Sequence, residues 1–225
     1  MKIGIIVAMD KELRLLEPLL ENRMNVMVDN YKFTCGRLSG HDVIALKTGI
    51  GKVNAAVGVI TLITNFDVDM VINTGVAGGA SEKVNVMDIV VGKRVAYHDV
   101  WCGPETTPGA VLGLPLYYEA PADMLKRIPT RSDIKVGLIC SGDQFIDSIE
   151  QVEAIREKFD DVLALDMESG AIAQVCYLRE IPFLSMRVIS DSPGVGHDNA
   201  AEYNDFWAEA PQHTFEVLKH ILKSL

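Results

Sequence analysis

The alternation of short apolar segments with helical patterns is the feature that most limits what this chain can fold into. Runs rich in Ile, Val and Leu predict buried strands, and apolar residues at helical spacing predict helices. Predicted strands cover residues 2–8, 31–38, 41–48, 68–73, 87–96, 135–140, 162–165 and 183–189, and predicted helices cover 10–20, 53–64, 149–159, 168–177 and part of 200–225. Such alternation predicts an α/β fold with helices on both faces of a sheet. The early hairpin predicts a mixed sheet.

Length and composition set further limits. A chain of 225 residues is expected to form a single domain spanning 1–225. The net charge of −10, with no run rich in Lys or Arg, predicts no nucleic-acid partner. No segment has the length of a membrane span and no secretory signal is recognisable, so we expect no membrane association and a cytoplasmic location. The four cysteines and five histidines lack metal-ligand spacing, and no metal site is predicted.

Two glycine-containing segments fail the tests for nucleotide-binding loops. Gly51-Lys52 lacks the earlier glycine of a phosphate loop, since Leu46 stands there, and Val53 replaces the hydroxyl residue that would hold magnesium. The cluster at 75–79 departs from the dinucleotide fingerprint. It is predicted to be a turn, either one that lies close to a ligand or a plain one.

Two acids stand near predicted helix starts. Glu12 follows the first strand, where a carboxylate is favoured by the helix dipole whether or not it has a further role. Glu168 opens a later helix, and its two oxygens suit a vicinal diol such as ribose. Asp166 competes with Glu168 as the cap of that helix. Both interpretations of each glutamate stay open.

Arg187 is the hardest residue to explain structurally, because it lies in an apolar strand where a charge is costly unless paired. Strand alternation places Arg187, Ile189 and Asp191 on one face, so Arg187 and Asp191 are predicted to project toward the same pocket. Asp191 also fits an Asx turn before Pro193. Phe145 suits either the core or a surface on which a base stacks.

Eight anchors in order along the chain carry a family resemblance. They are residues 1–6 with 8, 9 and 12; 49–53; 72–75 with 77–79; 88–91; 97–99; 141–143 with 145 and 146; 166–168; and 187 with 189–191. Together they resemble the nucleoside phosphorylase/nucleosidase superfamily over nearly the whole chain. The resemblance implies a three-layer αβα sandwich with a mixed, twisted sheet. It also implies that neither a metal nor an organic cofactor is needed.

Within the superfamily, the anchors are most similar to nucleosidases of 5′-methylthioadenosine and S-adenosylhomocysteine, which release adenine and a 5-thioribose product. The resemblance implies that Asp191 protonates adenine N7 and that Glu12 polarises the attacking water. The two acids then need different environments, because Asp191 must hold a proton at neutral pH and Glu12 must be ionised. Glu168 would accept hydrogen bonds from the ribose hydroxyls.

The resemblance also implies further substrate contacts and a partner. Phe145 would stack on adenine, the Ile146 backbone would read its edge, and Met167 would lie along the sugar. The remaining implied substrate-binding residues are Met9, Ile50 and Tyr203 around the 5′ substituent, Arg187 near the ribose, and Gly78 and Ser190. A homodimer is implied, with 98–119 at the interface. Val76 stands where many relatives carry a hydroxyl. The unusual loop 100–118 leaves the preferred 5′ substituent open, and the unusual loop 192–202 bears on access to Asp191.

Two alternative activities remain at this stage, beside a third alternative in which the protein binds a nucleoside without turning it over. One is a phosphate-dependent purine nucleoside phosphorylase, which would need cationic groups around its phosphate. The acidic Glu12 after the first strand favours hydrolysis over that alternative. The other is a related nucleosidase acting on aminodeoxyfutalosine.

Overall fold

The structure is a computed structural model and describes residues 1–193, 206 and 213–225. Its strands are β1 (Lys2–Val7), β2 (Glu21–Val28), β3 (Tyr31–Leu38), β4 (His41–Lys47), β5 (Met70–Gly79), β6 (Ile89–Tyr97), β7 (Tyr118–Glu119), β8 (Ile134–Ser141), β9 (Val162–Asp166) and β10 (Phe183–Asp191). Its helices are α1 (Asp10–Leu16), α2 (Lys52–Phe66), α3 (Ala122–Leu125), α4 (Ile149–Arg156), α5 (Ser169–Leu178) and α6 (His213–Ser224). Nearly every predicted element is present, with its ends moved by a few residues.

The strands form one mixed sheet, as predicted. Its order is β10-β6-β8-β9-β5-β1-β4-β3-β2, and β7 pairs with β6. Because β10 also pairs with β5, the strands β5, β10, β6, β8 and β9 close into a ring, from which β1, β4, β3 and β2 extend. Parallel pairs such as β1–β5 and β5–β10 coexist with antiparallel pairs such as β3–β4.

Helices cover both faces of the sheet, which confirms the layered α/β architecture. Side chains of β1 alternate between two apolar clusters, with Ile5 in one and Ile6 in the other. The first cluster includes Leu16 of α1 and Leu218 of α6. The second includes Leu62 of α2 and residues of α5. The sheet is therefore buried on both sides where its strands run toward the site described below.

The N-terminal region differs from the prediction in two respects. The first helix ends at Leu16 and is followed by a 3-10 turn, Glu17–Leu19, that holds Pro18 near its start. Strand β2 was not predicted, because its first residues are exposed and polar and it lies at the edge of the sheet.

The glycine cluster at 75–79 is strand rather than a turn, contrary to the prediction. Strand β5 continues to Gly79, with Gly75 opposite Arg187 of β10 and Gly78 opposite Leu165 of β9. Glycines can therefore serve here for close approach rather than for turning. Gly78 still borders the cavity described below, so its proximity to a ligand site was predicted and its backbone conformation was not.

The part of the chain that the structure describes contains neither a membrane-spanning helix nor a metal-binding cluster. None of the helices there has the length and apolar character needed to cross a bilayer. Within the same residues, no group of three or more His, Cys, Asp or Glu side chains is arranged to hold a metal ion.

Candidate active site

A cavity opens at the carboxyl ends of the parallel strands β1, β5 and β10, the edge at which α/β sheets bind ligands. Its space, including the open mouth, is about 640 Å³. It is lined by Ala8, Met9, Glu12, Ile50, Val76, Ala77, Gly78, Gln144, Phe145, Ile146, Leu165, Asp166, Met167, Glu168, Ser190 and Asp191.

The cavity gathers most of the residues that the sequence nominated for the site. The nominated residues that line it are Met9, Glu12, Ile50, Gly78, Phe145, Ile146, Met167, Glu168, Ser190 and Asp191. Arg187 lies beneath the cavity rather than in its wall, as described below. Tyr203 lies outside the described residues. Ala8, Ala77, Gln144 and Leu165 also line the cavity. The sequence did not predict a role for them, because their side chains are apolar or uncharged and indicate no particular chemistry.

Glu12 is held by backbone amides at the start of α1. Its Oε2 accepts hydrogen bonds from Ala8 N at 2.8 Å and Met9 N at 2.9 Å, and Oε1 accepts one from Val76 N at 3.2 Å. Burial raises the pKa of this carboxyl above its ordinary value, although the charge of Arg187 and the amide bonds oppose that rise. Glu12 is thus both a helix-start acid and a buried carboxylate suited to drawing a proton from water.

Glu168 enters the cavity from the start of α5. Gly51 N donates to its Oε1 at 3.0 Å, and Arg187 Nη2 lies 3.6 Å from its Oε2. Burial raises the pKa of Glu168 to about 7, with Arg187 opposing the rise and Asp166 adding to it. The carboxylate makes no capping bond to its own helix.

Asp166, rather than Glu168, supplies the side-chain hydrogen bond that caps the start of α5. Its Oδ1 accepts a hydrogen bond from Ser169 N at 3.2 Å, at the first turn of α5. Its Oδ2 pairs with Arg187 Nη2 at 2.7 Å, and both side chains are almost fully buried. Because Asp166 satisfies this helix end, Glu168 is left to face the cavity.

Asp191 and Ser190 both reach the cavity because of a β-bulge. The pairing of β10 with β5 shifts register between Ile189 and Asp191, which lets consecutive residues face one side. Ser190 Oγ donates to Asp191 Oδ1 at 2.6 Å, and both residues are buried. The predicted alternation of Arg187, Ile189 and Asp191 on one face is therefore broken, and Ile189 lies in the apolar core.

Arg187 does not project into the cavity, contrary to the prediction. It is 1% exposed, and its Nη2 donates to Asn73 Oδ1, to Ser169 Oγ at 3.2 Å and to Asp166. Sequence reasoning missed Asn73 and Ser185, which complete this buried network through Ser169. A polar residue inside an apolar strand was the available signal, since buried polar groups require partners.

The rim of the cavity is apolar, whereas its inner wall carries the carboxylates. Phe145 and Ile50 are each 52% exposed, and Ile146 behind them is buried. An aromatic ring or alkyl chain suits the rim, and hydroxyl groups suit the Glu168 carboxylate. With Glu12 and Asp191 in the same wall, the arrangement can supply a base and an acid to one ligand.

Comparisons with known proteins agree with this geometry. The sequence profile of a family described as the phosphorylase superfamily matches residues 2–223. A relative from Geobacillus sp. (strain WCH70), named 5′-methylthioadenosine/S-adenosylhomocysteine nucleosidase, is 39% identical, with 100% of this chain and 99% of the relative aligned.

Two solved structures illustrate the similarity of fold. The nucleosidase of the same name from S. pneumoniae, with a transition-state inhibitor MT-ImmA, has a TM-score of 0.94 and 35% identity over 99% of each chain. An S-adenosylhomocysteine nucleosidase from Streptococcus pyogenes, in complex with 5-methylthiotubericidin, has a TM-score of 0.94 and 33% identity over 100% of this chain and 97% of that one. Through the profile match and this full-length similarity, the chain belongs to the phosphorylase superfamily and, within it, to the family of the 5′-methylthioadenosine/S-adenosylhomocysteine nucleosidases.

Proposed function

We propose that this protein hydrolyses the N-glycosidic bond of 5′-methylthioadenosine and S-adenosylhomocysteine, releasing adenine and the 5-thioribose product. The observation that carries the proposal is the convergence of Glu12, Glu168 and Asp191 in one cavity, although Glu12 is far from the other two in sequence. The relatives named above support the choice of substrate, since their names specify these two nucleosides.

In this mechanism two carboxyl groups act on the two sides of the breaking bond, Asp191 as an acid toward adenine and Glu12 as a base toward the attacking water. Asp191 protonates N7 of adenine, so that the base leaves as a neutral molecule. Glu12 draws a proton from the water that attacks the anomeric carbon as the sugar develops oxocarbenium character. Ser190 fits a role in orienting the Asp191 carboxyl through their 2.6 Å hydrogen bond. A placed acid or base typically contributes about 10²–10⁴-fold each.

The remaining residues hold the substrate. Glu168 accepts hydrogen bonds from the ribose hydroxyls, and Met167 lies along the sugar. Phe145 stacks on adenine and the backbone of Ile146 reads its edge. The other assigned contacts are Met9, Ile50 and Tyr203 with the 5′ substituent and Gly78 and Ser190 with the nucleoside. Arg187 acts indirectly in this scheme, because its charge lies 3.6 Å from Glu168 and favours the ionised carboxylate.

Two observations favour water over phosphate as the nucleophile. Among the described residues that line the cavity, none is Lys or Arg, so a phosphate dianion would find no cation in the wall. Glu12 is also buried in that wall, and an ionised carboxylate would repel phosphate.

A substrate panel tests the proposal. Purified protein is incubated with methylthioadenosine, S-adenosylhomocysteine, 5′-deoxyadenosine, inosine and aminodeoxyfutalosine, each with and without phosphate, and the released base and sugar are identified. We expect adenine and free methylthioribose from methylthioadenosine without phosphate. A strict phosphate requirement, with a sugar 1-phosphate as product, would show phosphorolysis instead. Turnover of aminodeoxyfutalosine alone would assign the protein to that nucleosidase class.

The proposal includes a homodimer. Helices α2 and α5 present an apolar groove to solvent, lined by Ala56, Val57, Ile60, Val175, Leu178 and Arg179. Val53 on α2 is 73% exposed, and Leu112 in the segment 98–119 is 70% exposed. Large exposed apolar surfaces are typical of protein interfaces. We therefore assign the segment 98–119, together with this groove, to contacts with a second copy of the chain.

A further inference from the structure

Segments of three anchors that carry the family resemblance have no assigned role in the proposed reaction, yet they meet beside the cavity. They are residues 51–53 at the start of α2, residues 97–99 at the end of β6, and residues 141–143 at the end of β8. Their polar groups form one cluster, which we call the Asp99 cluster and define as Lys52, Asp99 and Asp143. Its members are absent from the cavity wall.

Asp99 joins the other two members of the cluster through one oxygen atom. Its Oδ2 accepts from Lys52 Nζ at 2.7 Å and from Asp143 N at 2.9 Å. Burial alone would raise the pKa of Asp99, but these two bonds and the lysine charge outweigh burial and lower the pKa. Asp99 is therefore an ionised carboxylate that ties the end of β8 to the start of α2.

The backbone amides at the start of α2 donate hydrogen bonds to two different carboxylates. Lys52 N donates to Asp143 Oδ1 at 2.7 Å, and Gly51 N donates to Glu168 Oε1 at 3.0 Å. Helix starts leave such amides without partners in the helix. Gly51 has a φ of 95° and lies so close to Asp143 that a methyl group there would stand 3.0 Å from Oδ1. The direction of the Gly51 amide thus depends on where Asp143 holds the adjacent peptide.

We propose that Asp99 is a positioning residue, which fixes the Gly51 amide through Lys52 and Asp143 and thereby holds Glu168 in the orientation that binds the ribose hydroxyls. This inference rests on the proposed nucleosidase function. Asp99 is not among the residues that line the cavity, so its effect on the recognition of the ribose is exerted through Glu168. A simple surface ion pair between the same residues would affect stability but not that recognition.

The test compares methylthioadenosine with its 3′-deoxy analogue, which lacks one hydroxyl for Glu168. Values of kcat/KM for both substrates are measured for the unmodified protein and for Asp99→Ala, Asp99→Asn and Lys52→Met, with melting temperatures. Asp161→Asn is the matched control, because Asp161 also forms a surface ion pair, with Arg94 at 2.6 Å, and lies outside the cavity wall.

We expect the unmodified protein to prefer methylthioadenosine over the analogue by about tenfold or more, the size expected for a hydrogen bond to a charged acceptor. Asp99→Ala should lose most of that preference, mainly through a higher KM for methylthioadenosine. Asp99→Asn keeps an oxygen acceptor and should fall between the two. Asp161→Asn should keep the full preference.

Other results would contradict either the positioning role of Asp99 or the proposed function. Equal losses for both substrates in Asp99→Ala, or a preference equal to that of Asp161→Asn, would overturn the positioning role and leave the proposed function intact. If Asp99→Ala does not melt cooperatively, Lys52→Met is judged by the same ratio, because it removes the ion pair and keeps the backbone amide. Absence of adenine release by the unmodified protein would overturn the proposed function and this inference together.

Discussion

Gly75 lies so close to Glu12 that a methyl group on it would overlap Glu12 Oε1. The same methyl group would lie 2.6 Å from Arg187 Nη1. Absence of a side chain at residue 75 therefore lets the carboxylate and the guanidinium approach each other over β5. That proximity explains why the charge of Arg187 opposes the rise in the pKa of Glu12.

Gly75→Ala is expected to displace Glu12 and to lower kcat/KM by about 10²-fold, because misplacement of a catalytic group by about 1 Å can cost that much. The matched control is Gly79→Ala on the same strand, whose methyl group would lie 3.3 Å from Ile189 and Val84 and 3.5 Å from the carbonyl oxygen of Asp191, distances that need much smaller shifts. Steady-state kinetics of methylthioadenosine cleavage checks the difference. Similar activity in the two variants would show that the space at residue 75 is not needed.

Glu12→Gln is expected to lower kcat by about 10²–10⁴-fold, since the amide cannot accept a proton from water. The amide also brings a donor toward the backbone N–H groups that now bond to the carboxylate. Asp10→Asn is the matched control in the same turn of α1, because Asp10 pairs with Lys47 at the surface. Retention of kcat in Glu12→Gln would remove Glu12 from the mechanism.

The pKa of Glu168 makes folding stability depend on pH. Its folded-state pKa of about 7 lies above an unfolded value near 4.5, so between those pH values the folded protein binds more protons than the unfolded chain. The contribution of Glu168 to the free energy of unfolding is therefore fully present below pH 4.5 and is lost as pH rises toward about 7. The wild-type free energy of unfolding should therefore decrease across this window, by on the order of 3 kcal/mol from this group.

Glu168→Gln removes the titrating group and should flatten that decrease. Urea unfolding at several pH values measures the free energy of unfolding of both proteins, and the comparison is made on the slopes with pH rather than on absolute stability. The remaining slope of the variant includes Glu12, whose pKa is also raised by burial. Identical slopes would contradict the burial of an ionisable Glu168.

The proposed dimer interface predicts that Leu112→Glu weakens self-association. A charge introduced at a buried apolar contact is costly to desolvate, so sedimentation equilibrium should show a larger monomer fraction than in the unmodified protein. Met24→Glu is the control, because Met24 on the edge strand β2 is also exposed but lies outside the assigned interface. A monomeric unmodified protein, or equal effects of the two substitutions, would refute the assigned interface.

Much of the fold was predictable because its strands are buried on both faces and form apolar runs in the sequence. Strand β2 was not, since Glu21–Val28 is largely exposed at the sheet edge. The continuation of β5 to Gly79 was not predicted, because its glycines indicate turns when they are considered locally. Pairing of β10 with β5, which closes the ring, depends on contacts between distant segments that periodicity does not reveal.

The candidate site was predictable where the family anchors coincide with strand ends. Glu12, Glu168 and Asp191 line one cavity, as expected. The predicted position of Arg187 was wrong, because the bulge at Ser190 separates the faces of Arg187 and Asp191 and no sequence pattern marks that bulge. The sequence could not decide between the two interpretations of Glu12, since the structure shows that a helix-start acid can also face a cavity.

The most direct test of the central claim is the turnover of methylthioadenosine by Asp191→Asn, with ligand binding to the same variant measured by calorimetry. The amide introduced by this substitution cannot protonate the leaving base, whereas the size of the side chain is nearly unchanged and Ser190 still lies beside it. We predict that kcat falls by about 10²–10⁴-fold while methylthioadenosine still binds with a similar Kd. Turnover at the wild-type rate would contradict the assignment of Asp191 as the acid and, with it, the mechanism proposed for this cavity.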